Sequence, residues 1–219
     1  MCRKCRFKRL FLGIGSALRV AEIVGMCFSA VDGCHMKHVH YRDGVAHLCT
    51  TLDGNNKALL LAFALCETES CATWEWFADR CQKFGINAYF ELPNSSIIGD
   101  RMKGIERFVA QFPKAKQLEC FRHILDNIYR HAGRGKGITV LDLWKLRNAE
   151  TWPEWFEMFK KIGRANIKMA DYIWDGINGE RVWRYLLLEN KIVTFERSTN
   201  QLAEGQKCGS QCKAHCHVS

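Results

Sequence analysis

The chain of 219 residues, 47% of them hydrophobic, holds enough apolar material for one large domain or a domain with a sizeable insertion, which excludes a disordered chain. Lys and Arg outnumber Asp and Glu by 32 to 23, a net charge of +9, so a polyanion is the expected partner, nucleic acid first, with a membrane surface or mere solubility as alternatives. Cysteines such as Cys27, Cys66 and Cys81 sit within apolar runs, a usage that fits a reducing intracellular compartment better than a secreted disulfide framework. No apolar run reaches membrane-spanning length.

Residues 1–23 read as a basic N-terminal arm. Its Cys2-x-x-Cys5 pair is half a zinc site with no second pair at a fitting distance. The apolar stretch from Leu10 to Gly25 imitates a signal peptide, but Arg19 and Glu22 interrupt it. Residues 17–24 read as a short helix leading into the first strand. Cys27 to Val31 is an apolar run of strand length that stops on Asp32-Gly33, which by itself reads as a buried strand followed by a turn. His35, His38 and His40 follow; polar residues at a strand edge are the favoured reading and metal ligation the alternative.

Val45 to Leu52 reads as a strand, Asp53-Gly54-Asn55-Asn56 as its turn, and Ala58 to Cys66 as a strand apolar on both faces, hence central in a covered sheet. Glu67 to Ser70 carries helix-start chemistry. Trp74, Phe77, Cys81 and Phe84 recur at helical spacing and mark one core-facing stripe. Pro93 and Asn94 break the chain before Ser96 to Gly99, a second short apolar run ending on an aspartate, Asp100. Met102, Ile105, Val109 and Phe112 mark a further helix that Pro113 ends. Lys116 to Leu118 adds a short strand, and the segment from Glu119 is helical in pattern. Gly133-Arg-Gly-Lys-Gly137 lacks the spacing of a phosphate-binding loop and reads as a flexible connection. From Thr139 to Leu188 the texture turns helical and aromatic, as in an insertion packed beside the sheet.

Two aspartates at the ends of separate strands, joined by a later acidic residue on a helix, can converge on hard divalent cations. The intervals carry little information; the flanking residues carry more. Val31-Asp32-Gly33-Cys34-His35, Leu52-Asp53-Gly54-Asn55-Asn56, Glu67-Thr-Glu with Trp74-Glu-Trp-Phe77, Gly99-Asp100-Arg101-x-Lys103-Gly104, Phe112-Pro113-x-Ala115 and Cys120-x-x-His123-Ile-x-x-Asn127 occur in that order. With Leu143-Trp144-Lys145 and Thr199-Asn200-x-x-x-Glu204, they resemble the transposase domain of Mutator-like elements over about residues 24–206.

The resemblance implies an α/β, RNase H-like fold. Three antiparallel strands lead into alternating helices and strands, giving a mixed five-stranded sheet flanked by helices, with an α-helical insertion before the last catalytic helix. The expected divisions are an arm at 1–23, a core at 24–132, an insertion at 133–190, the last catalytic helix at 191–207 and a Cys/His-rich tail at 208–219. The resemblance further implies an Asp-Asp-Glu triad that falls on Asp32, Asp100 and Glu204, with Glu196 and Glu189 as neighbours that leave the register of the third carboxylate open. Such a triad holds two Mg²⁺ or Mn²⁺ ions about 4 Å apart for phosphodiester cleavage and strand transfer. Cys120 and His123 match a motif that either binds Zn²⁺ or braces its helix.

Arg101, Lys103 and Arg122 are the expected phosphate contacts, with solvated surface charge as the alternative. The partners implied are double-stranded DNA, as terminal inverted repeats and target, and a second copy in a homo-oligomer; the location implied is the nucleus. Lys207 stands where an Asn is common, and the spacing of Cys208, Cys212, His215 and Cys216 does not fit a zinc knuckle. The expectation therefore covers an active enzyme and a truncated or inactive copy alike, and a domesticated DNA-binding regulator without catalysis is the alternative.

Overall fold

The structure, a computed structural model, describes residues 8–24, 27–36, 44–134, 137–192, 194 and 199. Its centre is a six-stranded mixed sheet. The strands are β1 (Arg9–Gly13), β2 (Phe28–His35), β3 (Val45–Leu52), β4 (Ala58–Cys66), β5 (Ser96–Gly99) and β6 (Lys116–Glu119). They lie side by side in the order β1-β4-β3-β2-β5-β6. The first four in that order pair antiparallel, and β5 and β6 join parallel to β2. Three antiparallel strands followed by parallel ones through helical crossovers is an arrangement consistent with the RNase H-like fold.

Two features differ from the sequence reading. The sheet has six strands rather than five, because Arg9–Gly13 of the supposed arm pairs with β4 from Arg9 opposite Cys66 to Gly13 opposite Ala62. This strand is clamped by Arg9, whose Nη2 donates to Glu67 Oε1 at 2.8 Å while the guanidinium lies over Trp76. Strand β4 is thereby interior to the sheet, paired with β1 on one side and β3 on the other. Second, Asp32-Gly33 is not a turn. Strand β2 continues to His35, with Asp32 opposite Leu48 and Gly33 opposite His47, because β3 is long enough to pair with the whole of it.

The remaining elements follow local chemistry. Asp53 Oδ1 accepts from the Asn55 and Lys57 amides, and Asn56 takes a φ of +62°, which closes the β3–β4 hairpin. Helix α1 (Gly15–Val24) precedes β2, and helix α2 (Cys71–Phe84) is capped reciprocally by Ser70 and Thr73 and ended by Gly85 at φ +101°. Helices α3 (Ile86–Phe90), α4 (Lys103–Val109) and α5 (Phe121–Ala132) complete the sheet region. Thr139, Thr151 and Asn166 then cap α6 (Val140–Asn148), α7 (Trp152–Ala165) and α8 (Ile167–Asp175), and α9 (Arg184–Glu189) follows a single 3-10 turn, Gly179–Arg181.

Three cores result. One face of the sheet is closed by buried rings from α2, α3 and α4 and the turn after α4, including Trp74, Phe77, Phe90, Phe108 and Phe112. The other face carries a smaller cluster, Phe28, Ala30, Leu48, Leu52, Ile98 and Leu118, covered by Leu187 of α9. The third core joins Phe121, Ile124, Leu125 and Ile128 of α5 to Leu143, Leu146, Trp155, Ile162, Met169, Ile173 and Trp183 of the helical block. Helix α5 thus packs into the core of that block, while its N-cap Cys120 belongs to the cluster on the sheet.

Candidate active site

Pairing between β2 and β5 places Ala30 opposite Ile98. Asp32 and Asp100 each lie two residues further on, so both carboxylates stand at the same end of adjacent parallel strands. Side chains alternate along a strand, and both aspartates therefore project on the face that holds Ala30 and Ile98. Such a position, beyond the carboxyl ends of parallel strands, is where open α/β sheets form sites. Strand β6 contributes next to them. Its Glu119 lies opposite Gly99, and the Cys120 amide donates to the Gly99 carbonyl at 2.8 Å. Cys120 then starts α5 and brings His123 to the site, with Nδ1 3.9 Å from Asp100 Oδ1.

The electrostatics report a concentration of negative charge. The His123 pKa is pushed up to about 9, first by its hydrogen bond to the Cys120 sulfur and then by the nearby charges, Asp100 and Asp32 among them, against the cost of burial. Asp32 itself is buried at 5% exposure. Cys120 and His123 are thus together at the start of α5. Among the described residues, no three His, Cys, Asp or Glu side chains are grouped so as to hold a metal ion. Glu204 and Glu196 lie outside the described residues, as do His38, His40 and the Cys-rich tail, while Glu189 ends α9.

The basic residues expected near the site have different surroundings. Arg122 is exposed on α5, and Lys103 opens α4 with its side chain outside the described residues. Arg101 is anchored within the protein. Its Nε is 3.2 Å from Glu119 Oε2, its Nη1 donates to the Tyr172 hydroxyl at 3.0 Å and its Nη2 to the Gly176 carbonyl at 2.7 Å. Its backbone amide donates to Asp100 Oδ1 at 2.6 Å. Burial raises the Glu119 pKa against the opposing pull of Arg101 and Arg181.

Behind Asp32, on the aromatic face, lies a set of groups whose packing against one another the sequence reading did not predict, and His47 is the member it did not single out. Glu69 packs against Gly33 so closely that a Cβ there would meet its Oε1 at 2.1 Å. Glu69 also accepts from Trp74 Nε1 at 3.3 Å and lies 3.6 Å from His35 Nε2. His47 is fully buried against the rings of Trp74 and Phe77, and burial lowers its pKa to about 4. Gly104 completes the set, because a Cβ there would sit 2.2 Å from Trp74 Cδ1. The Glu67-Thr-Glu, Trp74 and Asp100-Arg101-x-Lys103-Gly104 motifs therefore meet in one packed unit. Only their occurrence together in the ordered motif set could have signalled this.

Residues 29–127, which include Asp32, Asp100, Cys120 and His123, match the MULE transposase domain family. Over that segment the chain is similar to this family. Over 126 residues, 57% of its length, it is also 27% identical to the transposase for insertion sequence element IS905 of Lactococcus lactis subsp. lactis (strain IL1403). The match covers 27% of that transposase, so the chain spans about a quarter of the length of this curated relative. Among the described residues, no helix is long and apolar enough to cross a membrane.

Proposed function

We propose that this protein is the catalytic domain of a Mutator-like DNA transposase, cleaving and joining DNA strands at terminal inverted repeats with the help of divalent cations. The observation that carries the proposal is the placement of Asp32 and Asp100 side by side at the ends of β2 and β5, inside the segment that matches the transposase domain. Glu204 is proposed as the third carboxylate, contributed from the C-terminal part of the chain.

The donor set suits the group it would hold. Two carboxylates supply oxygen ligands, which hard cations such as Mg²⁺ and Mn²⁺ prefer. When bound, the metal ions supply Lewis-acid activation of a water or 3′-hydroxyl and stabilisation of the departing oxygen. The residues of the chain act by position. Strand β2, paired on both sides, fixes Asp32; the β5–β6 pairing and the Cys120 amide fix the backbone from which Asp100 projects. Lys103 and Arg122 are proposed to contact phosphate, in keeping with the net charge of +9. The proposal includes a nuclear location and self-association.

The test is a cleavage assay on duplex DNA bearing the element's inverted repeat, with Mg²⁺ or Mn²⁺, run beside an active full-length relative. Strand cleavage that disappears in Asp32→Asn and Asp100→Asn supports the proposal. Sequence-specific DNA binding without cleavage, unchanged by both substitutions, would instead establish a domesticated DNA-binding protein.

A further inference from the structure

We infer that Arg101 is a positioning residue that latches the helical block onto the Asp100 turn and thereby holds Asp100 in its metal-binding geometry. This inference rests on the reading of Asp100 as a metal ligand.

The guanidinium is directed at three partners from three parts of the chain. Glu119 is the end of β6, Tyr172 lies in α8, and Gly176 follows the end of α8. One contact is an ion pair with a carboxylate and two are hydrogen bonds, to a phenolic oxygen and a backbone carbonyl, so all three draw on the rigid fork that only arginine supplies. Glu119 is 6% exposed and would lose the nearer of the two guanidinium groups that face it. Arg181, in the 3-10 turn that follows α8, reaches the same carboxylate at 3.7 Å and Glu106 of α4 at 3.7 Å, so the block is tied to the sheet end at a second point. Tyr172 is itself held, its ring stacked on His131 of α5 at 4.6 Å. The residue next to Asp100 is therefore clamped between the sheet and the helical block, and its backbone amide donates to the Asp100 carboxylate. Any shift of α8 is transmitted through one guanidinium to the Asp100 turn.

A phosphate contact and a latch make opposite demands on the residue at this position. Lysine serves a phosphate well as a point charge but cannot reproduce two divergent hydrogen bonds and an ion pair at once. The experiment measures Mn²⁺ affinity of the full chain by electron paramagnetic resonance, together with the salt dependence of duplex DNA binding, for wild type, Arg101→Ala, Arg101→Lys and Tyr172→Phe. Arg107→Ala serves as the control, since Arg107 is exposed on α4 and 3.8 Å from Glu75. The expected result is a loss of Mn²⁺ affinity of about tenfold or more in both Arg101 variants, the size typical for residues that orient a ligand. Tyr172→Phe should give a smaller loss in the same direction, and Arg107→Ala none.

Should Arg101→Ala fail to fold, Tyr172→Phe carries the test alone, because it deletes a single acceptor. Full retention of Mn²⁺ affinity in Arg101→Lys, with a salt slope of DNA binding that falls only in Arg101→Ala, would overturn the latch in favour of a phosphate contact. Unchanged Mn²⁺ affinity in every folded variant would overturn the latch while leaving the metal site in place. Absence of Mn²⁺ binding by the wild type would remove the metal reading, and the inference with it.

Discussion

The two faces of the sheet differ in how they are built. On one face Trp74, Phe77, Phe90, Phe108 and Phe112 form a continuous aromatic layer, with Phe90 and Phe112 4.7 Å apart and Phe77 and Phe108 5.5 Å apart. The other face has a smaller, mostly aliphatic cluster around Phe28 under Leu187 and, at its end, the carboxylates of Asp32 and Asp100. The same strands serve both faces, so rigidity established behind the sheet is delivered in front of it. A pair of like charges can be held in a small, half-covered site because the backbone beneath it is packed from the far side.

Breaking the aromatic face should therefore have the largest effect on stability. Phe108→Ala is expected to lower unfolding free energy by about 3–5 kcal/mol, read by denaturant titration, because its ring is fully buried among Trp74, Phe77, Phe90 and Phe112. The pH response should locate the same face. Folded His47 has a pKa of about 4 against an ordinary 6.5, so the unfolded chain takes up a proton first as pH falls. Its contribution is neutral above pH 6.5 and becomes unfavourable towards pH 4, by roughly 3 kcal/mol across that window. Wild type should lose that much more stability than His47→Leu over the same range. Gly104→Ala drives a methyl into the Trp74 ring and should cost about 1–3 kcal/mol by thermal unfolding. On the carboxylate face the sign of the comparison reverses. Asp100→Asn keeps an acceptor for the Arg101 amide and should change metal-free stability by no more than about 0.5 kcal/mol, while abolishing the stabilisation that Mn²⁺ confers.

How much of this was legible in the sequence depends on the range of the interactions. The β3–β4 hairpin could be read because its turn chemistry at Asp53 and Asn56 is local, and α2 because Ser70 and the stripe of Trp74, Phe77 and Cys81 are local too. Asp32-Gly33 read locally as a turn and is strand, since what decides it is the reach of β3 across the sheet. Strand β1 was hidden at the border of a basic cluster, and its clamp, Glu67, lies far along the chain. Asp32, Asp100, Cys120 and His123 were singled out through an ordered set of motifs, and these four lie at one end of the sheet. The anchoring of Arg101 was not legible, because Tyr172 and Gly176 belong to a helical block whose seating no local pattern encodes.

The account rests most directly on two carboxylates at the ends of β2 and β5 serving one metal-binding face. Calorimetric titration of Mn²⁺ into the wild type and the Asp32→Asn, Asp100→Asn double variant tests it. Binding by the wild type and none by a double variant that retains its thermal transition is the predicted result. Equal binding by both proteins would contradict it.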